Sequence, residues 1–364
     1  MEYQYASICR GEHSIIGAIA KAGVPDPGAY IRFFNLRNYD RLNTNSTMSE
    51  VEEASGVSYG EARREHDDIV GAGYDGEGEG TGASPNRTNL QYDSYQDAGA
   101  RAEGGEWDTV SACYMDGGPP LSSIPWKGSP DDEINAYVSE ELYIHSKVLI
   151  ADDRIVICGS ANLNDRSQLG YHDSEIAVVI EDTDLIPSTM GGREVMVSKF
   201  ATELRRQLFR KHLGLIPFQD WKTPDQNFLP LAQGSNAYDY DSPGDLLVRD
   251  VLSEEFTRLW HETASTNTAI FARAFHCVPA DNVHNWEQYD EWFGKYFVPP
   301  EEGKESQYSY GHVVREEFGD GVGELKEWLG GVRGSLVEMP LEFMADVDFA
   351  SGVSLNAFTE EIYT

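Results

Sequence analysis

The sequence predicts an α/β fold in which helices flank a mixed β-sheet. Residues 10–23 have the apolar spacing of a helix that ends at a glycine, and an apolar strand follows over 30–37. A helix followed by a strand in this order is typical of an α/β layer. Two more apolar runs, within 141–152 and 155–159, indicate buried strands joined by a polar turn. The strand over 174–181 is apolar on both faces, so we expect it to be central in the sheet.

The middle of the chain differs from this pattern. Residues 71–82 alternate glycine with acidic and small residues and show no periodicity. Glycine raises the entropy of the unfolded chain and like charges repel, so the contacts of this segment cannot offset the free energy that ordering it would cost. We therefore divide the chain into the start of the fold (1–43), an acidic and largely disordered insertion (44–138), and the remaining core (139–364).

The C-terminal part reads as a helical and loop-rich extension. An amphipathic helix is predicted over 194–213, with Arg205, Arg206 and Arg210 on a solvated face. Two short helices are predicted over 253–260 and 266–275. The spacing of the aromatic residues between 286 and 297 suggests that these residues belong to the core or to a lid, rather than to a membrane wedge.

Composition narrows the classes of function. The 364 residues carry a formal net charge of −34, which argues against a nucleic-acid partner and against a purely electrostatic grip on anionic lipid. The four cysteines are far apart, so reduced thiols are expected rather than disulfides or a zinc site. No metal or cofactor is predicted. No run of residues is long and apolar enough to suggest a transmembrane helix.

One stretch carries a chemical pattern, H-x-K-x4-D-x6-G-S-x-N. Its residues are His145, Lys147, Asp152, Gly159-Ser160 and Asn162. Residues two apart on a strand share one face, so the imidazole and the ammonium are expected to lie together, as are the hydroxyl and the amide. An imidazole can attack or protonate a phosphate ester, while an ammonium and an amide can hold its oxygens. The pattern therefore predicts a phosphate site.

This stretch resembles the HKD signature of the phospholipase D superfamily. Residues 159–170 and the block His172-Asp-Ser-Glu175 are similar to the second, C-terminal HKD motif of eukaryotic phospholipases D, the fungal ones especially. Residues 30–37 and the end of the chain are also similar to that family. The resemblance implies a phospholipase D-like half-domain that hydrolyses phosphatidylcholine to phosphatidate and choline through a phosphohistidine.

The resemblance also implies roles for the residues. His145 is either the nucleophile or the acid/base, Lys147 and Asn162 hold the phosphate oxygens, and Ser160 adds a hydrogen bond. Glu175 orients a catalytic imidazole. Asp152 is expected to hold the turn and neighbouring cations rather than to act directly.

Two further residues follow from the same resemblance. Arg166 is expected in a structural ion pair, and the terminal residues are expected to pack near the active site.

The family carries two HKD motifs, whereas no histidine here other than His145 is followed by lysine two residues later. We therefore expect a truncated chain, inactive or weakly active alone, that requires the missing first-HKD half or a second copy of itself. The resemblance implies a cytoplasmic protein at a phospholipid membrane surface, with no nucleic acid. The alternatives are a homodimeric single-HKD phosphodiesterase or nuclease, and a non-catalytic regulatory remnant.

Overall fold

The computed structural model describes residues 2–42, 46–59, 61–62, 65, 90–101, 126, 128–168, 170, 173–216, 239–297 and 310–347. The helices are α1 (Glu2–Ile8), α2 (Ile15–Lys21), α3 (Ser46–Ser55), α4 (Leu90–Arg101), α5 (Pro130–Asn135), α6 (Asp165–Gln168), α7 (Lys199–His212), α8 (Pro243–Arg249), α9 (Glu254–Phe275), α10 (Trp286–Tyr296) and α11 (Val322–Leu329). The strands are β1 (Phe34–Arg41), β2 (Tyr137–Glu141), β3 (Lys147–Ala151), β4 (Ile155–Gly159), β5 (Ala177–Glu181), β6 (Leu185–Met190), β7 (Arg193–Ser198) and β8 (Leu336–Glu338).

The chain divides into two compact units. The smaller one spans Arg41–Lys127 and Phe218–Phe228. Within it, helices α3 and α4 pack on each other. Helix α4 lies in a part of the chain for which we predicted no regular structure. Most of the predicted insertion lies outside the described residues, so its boundaries and its disorder stay predictions.

The core of the larger unit forms around α9. Phe271 and Phe275 on this helix pack with Leu325 and Leu329 of α11, and all four side chains are at most 2% exposed. Strands β2, β1 and β8 form a sheet in that order, and β1 and β8 pair antiparallel with Leu36 opposite Leu336. The α/β class with helices flanking the sheets is confirmed, although the eight strands are shared among three small sheets.

Several predicted elements differ in extent. The first helix is present as α2, capped by the Ser14 hydroxyl, which accepts a hydrogen bond from the Gly17 N–H at 3.0 Å. The strand predicted over 30–37 begins later, at Phe34. The two helices predicted within 253–275 are one continuous helix, α9. The polar residue Asn267 lies within this helix, where its side-chain amide donates to main-chain carbonyls near β8.

The prediction of one long helix over 194–213 was wrong in its first part. Residues 193–198 form strand β7, which pairs with β6 in a hairpin. The hairpin turns at Gly191 and Gly192, whose φ angles of +60° and +74° suit glycine. The apolar residue Val197 fits both the alternation of a strand and the spacing of a helix, so the apolar pattern alone did not show where the strand ends and α7 begins.

The arginines of α7 are not on a solvated face, and this prediction was also wrong. All three are buried. Arg205 forms an ion pair with Asp153, and Arg206 forms one with Asp245, which is itself fully buried. Each guanidinium meets a carboxylate that lies far away in the sequence, so the local pattern could not distinguish a buried ion pair from a solvated charge.

Strands β3, β4 and β5 form a separate antiparallel sheet with β4 in its centre. Strand β5 is therefore an edge strand among the described residues, whereas we predicted a central one. Both faces of this sheet expose apolar side chains: Val148 and Val178 lie on one face, and Leu149 and Val179 on the other. The apolar character of β5 was interpreted correctly as two-sided. The described residues leave these four side chains exposed, although Val156 of β4, on the same face as Val148, is 1% exposed.

Candidate functional site

The strand register brings one end of β3, β4 and β5 together. Lys147 is opposite Gly159, which is opposite Ala177. His145 lies two residues before this row, Ser160 comes directly after it, and Glu175 lies two residues before it. Four of the predicted site residues, His145, Lys147, Ser160 and Glu175, therefore gather at one end of the sheet, although they are up to 30 residues apart in sequence.

Gly159 allows the strands to meet at this end. A Cβ atom at this position would lie 2.6 Å from the carbonyl oxygen of Ile176 and 2.8 Å from the Cβ of Ala177. Both distances are too short for any side chain, so β4 can approach β5 here only with glycine. The close approach lets the Ser160 N–H donate to the Ile176 carbonyl at 3.0 Å, and it places Ser160 beside Glu175.

A hydroxyl–carboxylate pair forms the back of the site. The Ser160 hydroxyl donates to Oε2 of Glu175, and it accepts the Ile176 N–H at 3.0 Å. The Ser160 hydrogen bond, and after it that of Ser167, lowers the pKa of Glu175 below its ordinary value of 4.5. Glu175 is therefore a carboxylate at neutral pH, and Lys147 also favours its charged form.

The side chains predicted to meet the phosphate are exposed or half-buried. His145 is exposed and its ring lies 5.8 Å from that of Tyr143, centroid to centroid. The Lys147 ammonium is partly buried and donates to the carbonyl of His145. Asn162 is exposed as well, and its main-chain carbonyl accepts a hydrogen bond from Gln168 at 2.9 Å.

Asp152 lies at the other end of β3, in the turn to β4, five residues from Lys147. The structure thus separates it from the rest of the predicted site. Its neighbour Asp153 is buried and accepts hydrogen bonds from Arg205 at 2.6 and 2.7 Å and from the Thr202 hydroxyl at 2.9 Å. The contact with neighbouring cations that we expected of Asp152 is made by Asp153.

Sequence reasoning missed two residues of this region. Ser167 is buried and hydrogen-bonds to Glu175, and Asp153 anchors the turn after β3. The adjacent pair of Asp152 and Asp153 indicated a polar turn but not which of the two carboxylates is buried. The sequence contained no comparable signal for Ser167.

Two other expectations concern the surroundings of the site. Arg166 does form an ion pair, with Asp173, at 2.7 Å. His172 and residues 348–364, which were predicted to pack near the site, lie outside the described residues.

This arrangement combines an exposed imidazole with an ammonium and a hydrogen-bonded carboxylate. An imidazole open to solvent can reach a phosphorus atom or protonate a leaving oxygen. A cationic donor beside it would stabilise the charge that develops on phosphate oxygens. Among the described residues, these groups line an open end of the sheet and no enclosed pocket.

Comparison with known proteins agrees with this chemistry. Residues 117–227 match the family model of phospholipase D. The chain is 36% identical over 209 residues to Phospholipase D1 of Homo sapiens, 34% identical over 221 residues to Phospholipase D zeta 1 of Arabidopsis thaliana, and 31% identical over 214 residues to Phospholipase D1 of Saccharomyces cerevisiae.

These alignments cover 57–59% of the chain but only 16%, 17% and 7% of the three relatives. The predicted resemblance of this chain to phospholipases D is confirmed by the matched family model and by these relatives. It spans a small fraction of the length of the curated relatives that it matches. Among the described residues, no helix combines the length and the apolar character needed to cross a membrane.

Proposed function

We propose that this chain supplies one half of a phospholipase D active site that hydrolyses phosphatidylcholine to phosphatidate and choline. The observation that carries the proposal is the gathering of His145, Lys147, Ser160 and Glu175 at one end of the β3–β4–β5 sheet. The relatives named above are all called phospholipases D, which favours a phosphodiester substrate with a lipid portion.

The proposed reaction has two steps. A histidine nitrogen attacks phosphorus, the bond from phosphorus to the choline oxygen breaks, and a second imidazole protonates that oxygen. The second imidazole then takes a proton from water, whose oxygen attacks phosphorus and displaces the first histidine. His145 is one member of this pair. Lys147 and Asn162 would hold the phosphate oxygens in both steps, and Glu175 would keep an imidazole in the required orientation.

The open sheet supports the need for a partner. Leu149 is 54% exposed on one face of the β3–β4–β5 sheet and Val179 is 58% exposed on the other. A three-stranded sheet with exposed apolar side chains on both faces gains little stability from the burial of apolar surface, so a second layer against it would stabilise it. We propose that this layer is a half-domain with the other HKD motif, and that the assembly works peripherally on a phospholipid surface.

A choline-release assay on phosphatidylcholine vesicles tests the proposal. The purified chain should release little choline alone, and more when mixed with the N-terminal part of the yeast relative. His145→Asn should abolish the gain. His13→Asn is the matched control, because His13 is highly exposed and lies outside the motif, and it should behave as the unchanged chain. A gain that persists in His145→Asn, or no gain at all, would contradict the proposal.

The same exposed faces favour a second candidate, a homodimer of single-HKD chains. Two copies could cover each other's apolar faces and bring two copies of His145 together. Sedimentation equilibrium distinguishes the candidates: a dimer with His145-dependent phosphodiesterase activity supports this one, whereas a monomer excludes it. If the chain neither dimerises nor gains activity with a partner half, a regulatory remnant of the family becomes the better description.

A further inference from the structure

The larger unit contains a cavity of about 300 Å³ that none of the HKD residues lines. Its walls come from β1, β2 and β8, from the C-terminal half of α9, and from the segment between α9 and α10. Phe271 and Val337, which are 2% and 5% exposed, contribute apolar surface. A concave space of this size, with a mostly apolar lining and a few polar groups, is typical of a site for a small ligand.

The cationic side chain in the lining of this cavity, Arg37, already has hydrogen-bond partners. The side chain of Arg37 is 11% exposed. Its guanidinium donates to the Ser139 hydroxyl at 3.3 Å, to Sγ of Cys277 at 3.3 Å and to Glu141 at 3.2 Å. Because Glu141 offsets its charge and these bonds occupy three of its five N–H donors, Arg37 offers little to an anionic ligand.

The remaining charges of the lining are negative. Asp281 and Glu338 are exposed at the cavity, so with Glu141 three carboxylates face one guanidinium. Asp281 uses one oxygen to accept the N–H of Glu342 at 2.8 Å, which fixes its position. Among the described residues, these carboxylates are not grouped as ligands for a metal ion. The excess charge therefore suits an organic cation better than an anion or a metal.

Aromatic rings complete the lining. Trp292 and Phe271 both border the cavity. The indole N–H of Trp292 donates to the carbonyl of His276 at 3.1 Å, and this bond holds the ring in place. A fixed indole can stabilise an ammonium group over its face, and carboxylates nearby add to that attraction.

We propose that this cavity binds a small organic cation, an ammonium ion with an apolar body, whose charge lies between the Trp292 ring and the carboxylates of Asp281 and Glu338 and whose body contacts Phe271. None of the HKD residues lines the cavity. The proposal therefore goes beyond the proposed phospholipase D function and does not depend on it.

Isothermal titration calorimetry on the full chain tests the proposal with three probes of similar shape. These are phenethylammonium, the neutral 2-phenylethanol and the anionic phenylacetate. We expect phenethylammonium to bind at least about tenfold more tightly than the alcohol, and phenylacetate to bind most weakly. No binding of the cation, or equal affinity for the cation and the alcohol, would overturn the proposal.

Variants locate the binding. Glu338→Gln and Asp281→Asn keep the size of each side chain and remove one charge, so each should weaken phenethylammonium binding several-fold and leave 2-phenylethanol unchanged. Glu255→Gln, in the first turn of α9 and so at its opposite end, is the matched control and should change nothing.

A filling variant gives an independent check. Ala272 lines the cavity from the exposed side of α9, so Ala272→Leu should block binding without breaking the helix. If Ala272→Leu keeps its circular dichroism spectrum and still binds the cation with unchanged affinity, the site lies elsewhere and the proposal is wrong.

Discussion

The two adjacent aspartates after β3 provide a sharp test of this structure. Asp152 is exposed, whereas Asp153 is 3% exposed and paired with Arg205, which is 7% exposed. Both residues have a φ of 51°, a conformation that asparagine tolerates well. Asp152→Asn and Asp153→Asn are therefore matched substitutions that differ in the environment of the lost charge and not in backbone strain.

The magnitude follows from burial. Asp153→Asn leaves the Arg205 guanidinium buried without its counter-charge, and breaking such a pair by removing one partner costs about 3–5 kcal/mol. Two short bonds to Arg205 and one to Thr202 are also weakened. At Asp152 the change is at the surface and should stay within about 0.5 kcal/mol.

Urea unfolding followed by circular dichroism measures both effects. With a slope of about 1–3 kcal/mol/M, Asp153→Asn should lower the midpoint by at least about 1 M. The midpoint of Asp152→Asn should stay close to that of the unchanged chain. Equal midpoints for the two variants, or a larger loss for Asp152→Asn, would refute the assignment of Asp153 as the buried anchor.

Three further predictions can be checked on the same unfolding transition. Gly159→Ala should destabilise by about 1–3 kcal/mol, because the new methyl group meets the main chain next to β5. The control Gly294→Ala, within α10, meets no atom and should be neutral or stabilising, so equal effects of the two variants would contradict the packing at the HKD end. Burial lowers the pKa of His276 below 6.5, and its bond to Glu317 offsets only part of this. The contribution of His276 to stability is therefore present above pH 6.5 and is lost as the pH falls. His276→Asn should flatten the slope of stability against pH between pH 7 and 5, and an unchanged slope would contradict this. Asn267→Ala should cost about 3 kcal/mol because the buried Leu336 carbonyl and the part-buried Arg333 carbonyl lose their donor, and a loss under 1 kcal/mol would show that water replaces it.

Local sequence patterns were sufficient where the neighbours along the chain decide the outcome. The apolar spacing and the glycine after α2 defined a helix, and the two apolar runs around the polar turn defined β3 and β4. Within the motif, His145 and Lys147 are close because only one residue separates them, although His145 lies before β3 and not on it. The sequence alone therefore determined that this chain has an α/β fold and resembles phospholipases D.

Only the tertiary structure decided which charges are buried and which apolar surfaces are covered. Arg205 and Asp153 are more than 50 residues apart, and their pairing depends on how α7 packs against the turn after β3. Strand β5 has the composition of a central strand but lies at an edge with both faces exposed. A periodicity states which side chains are apolar, whereas burial depends on whether another element lies against them, and that is a property of the folded chain and its partners.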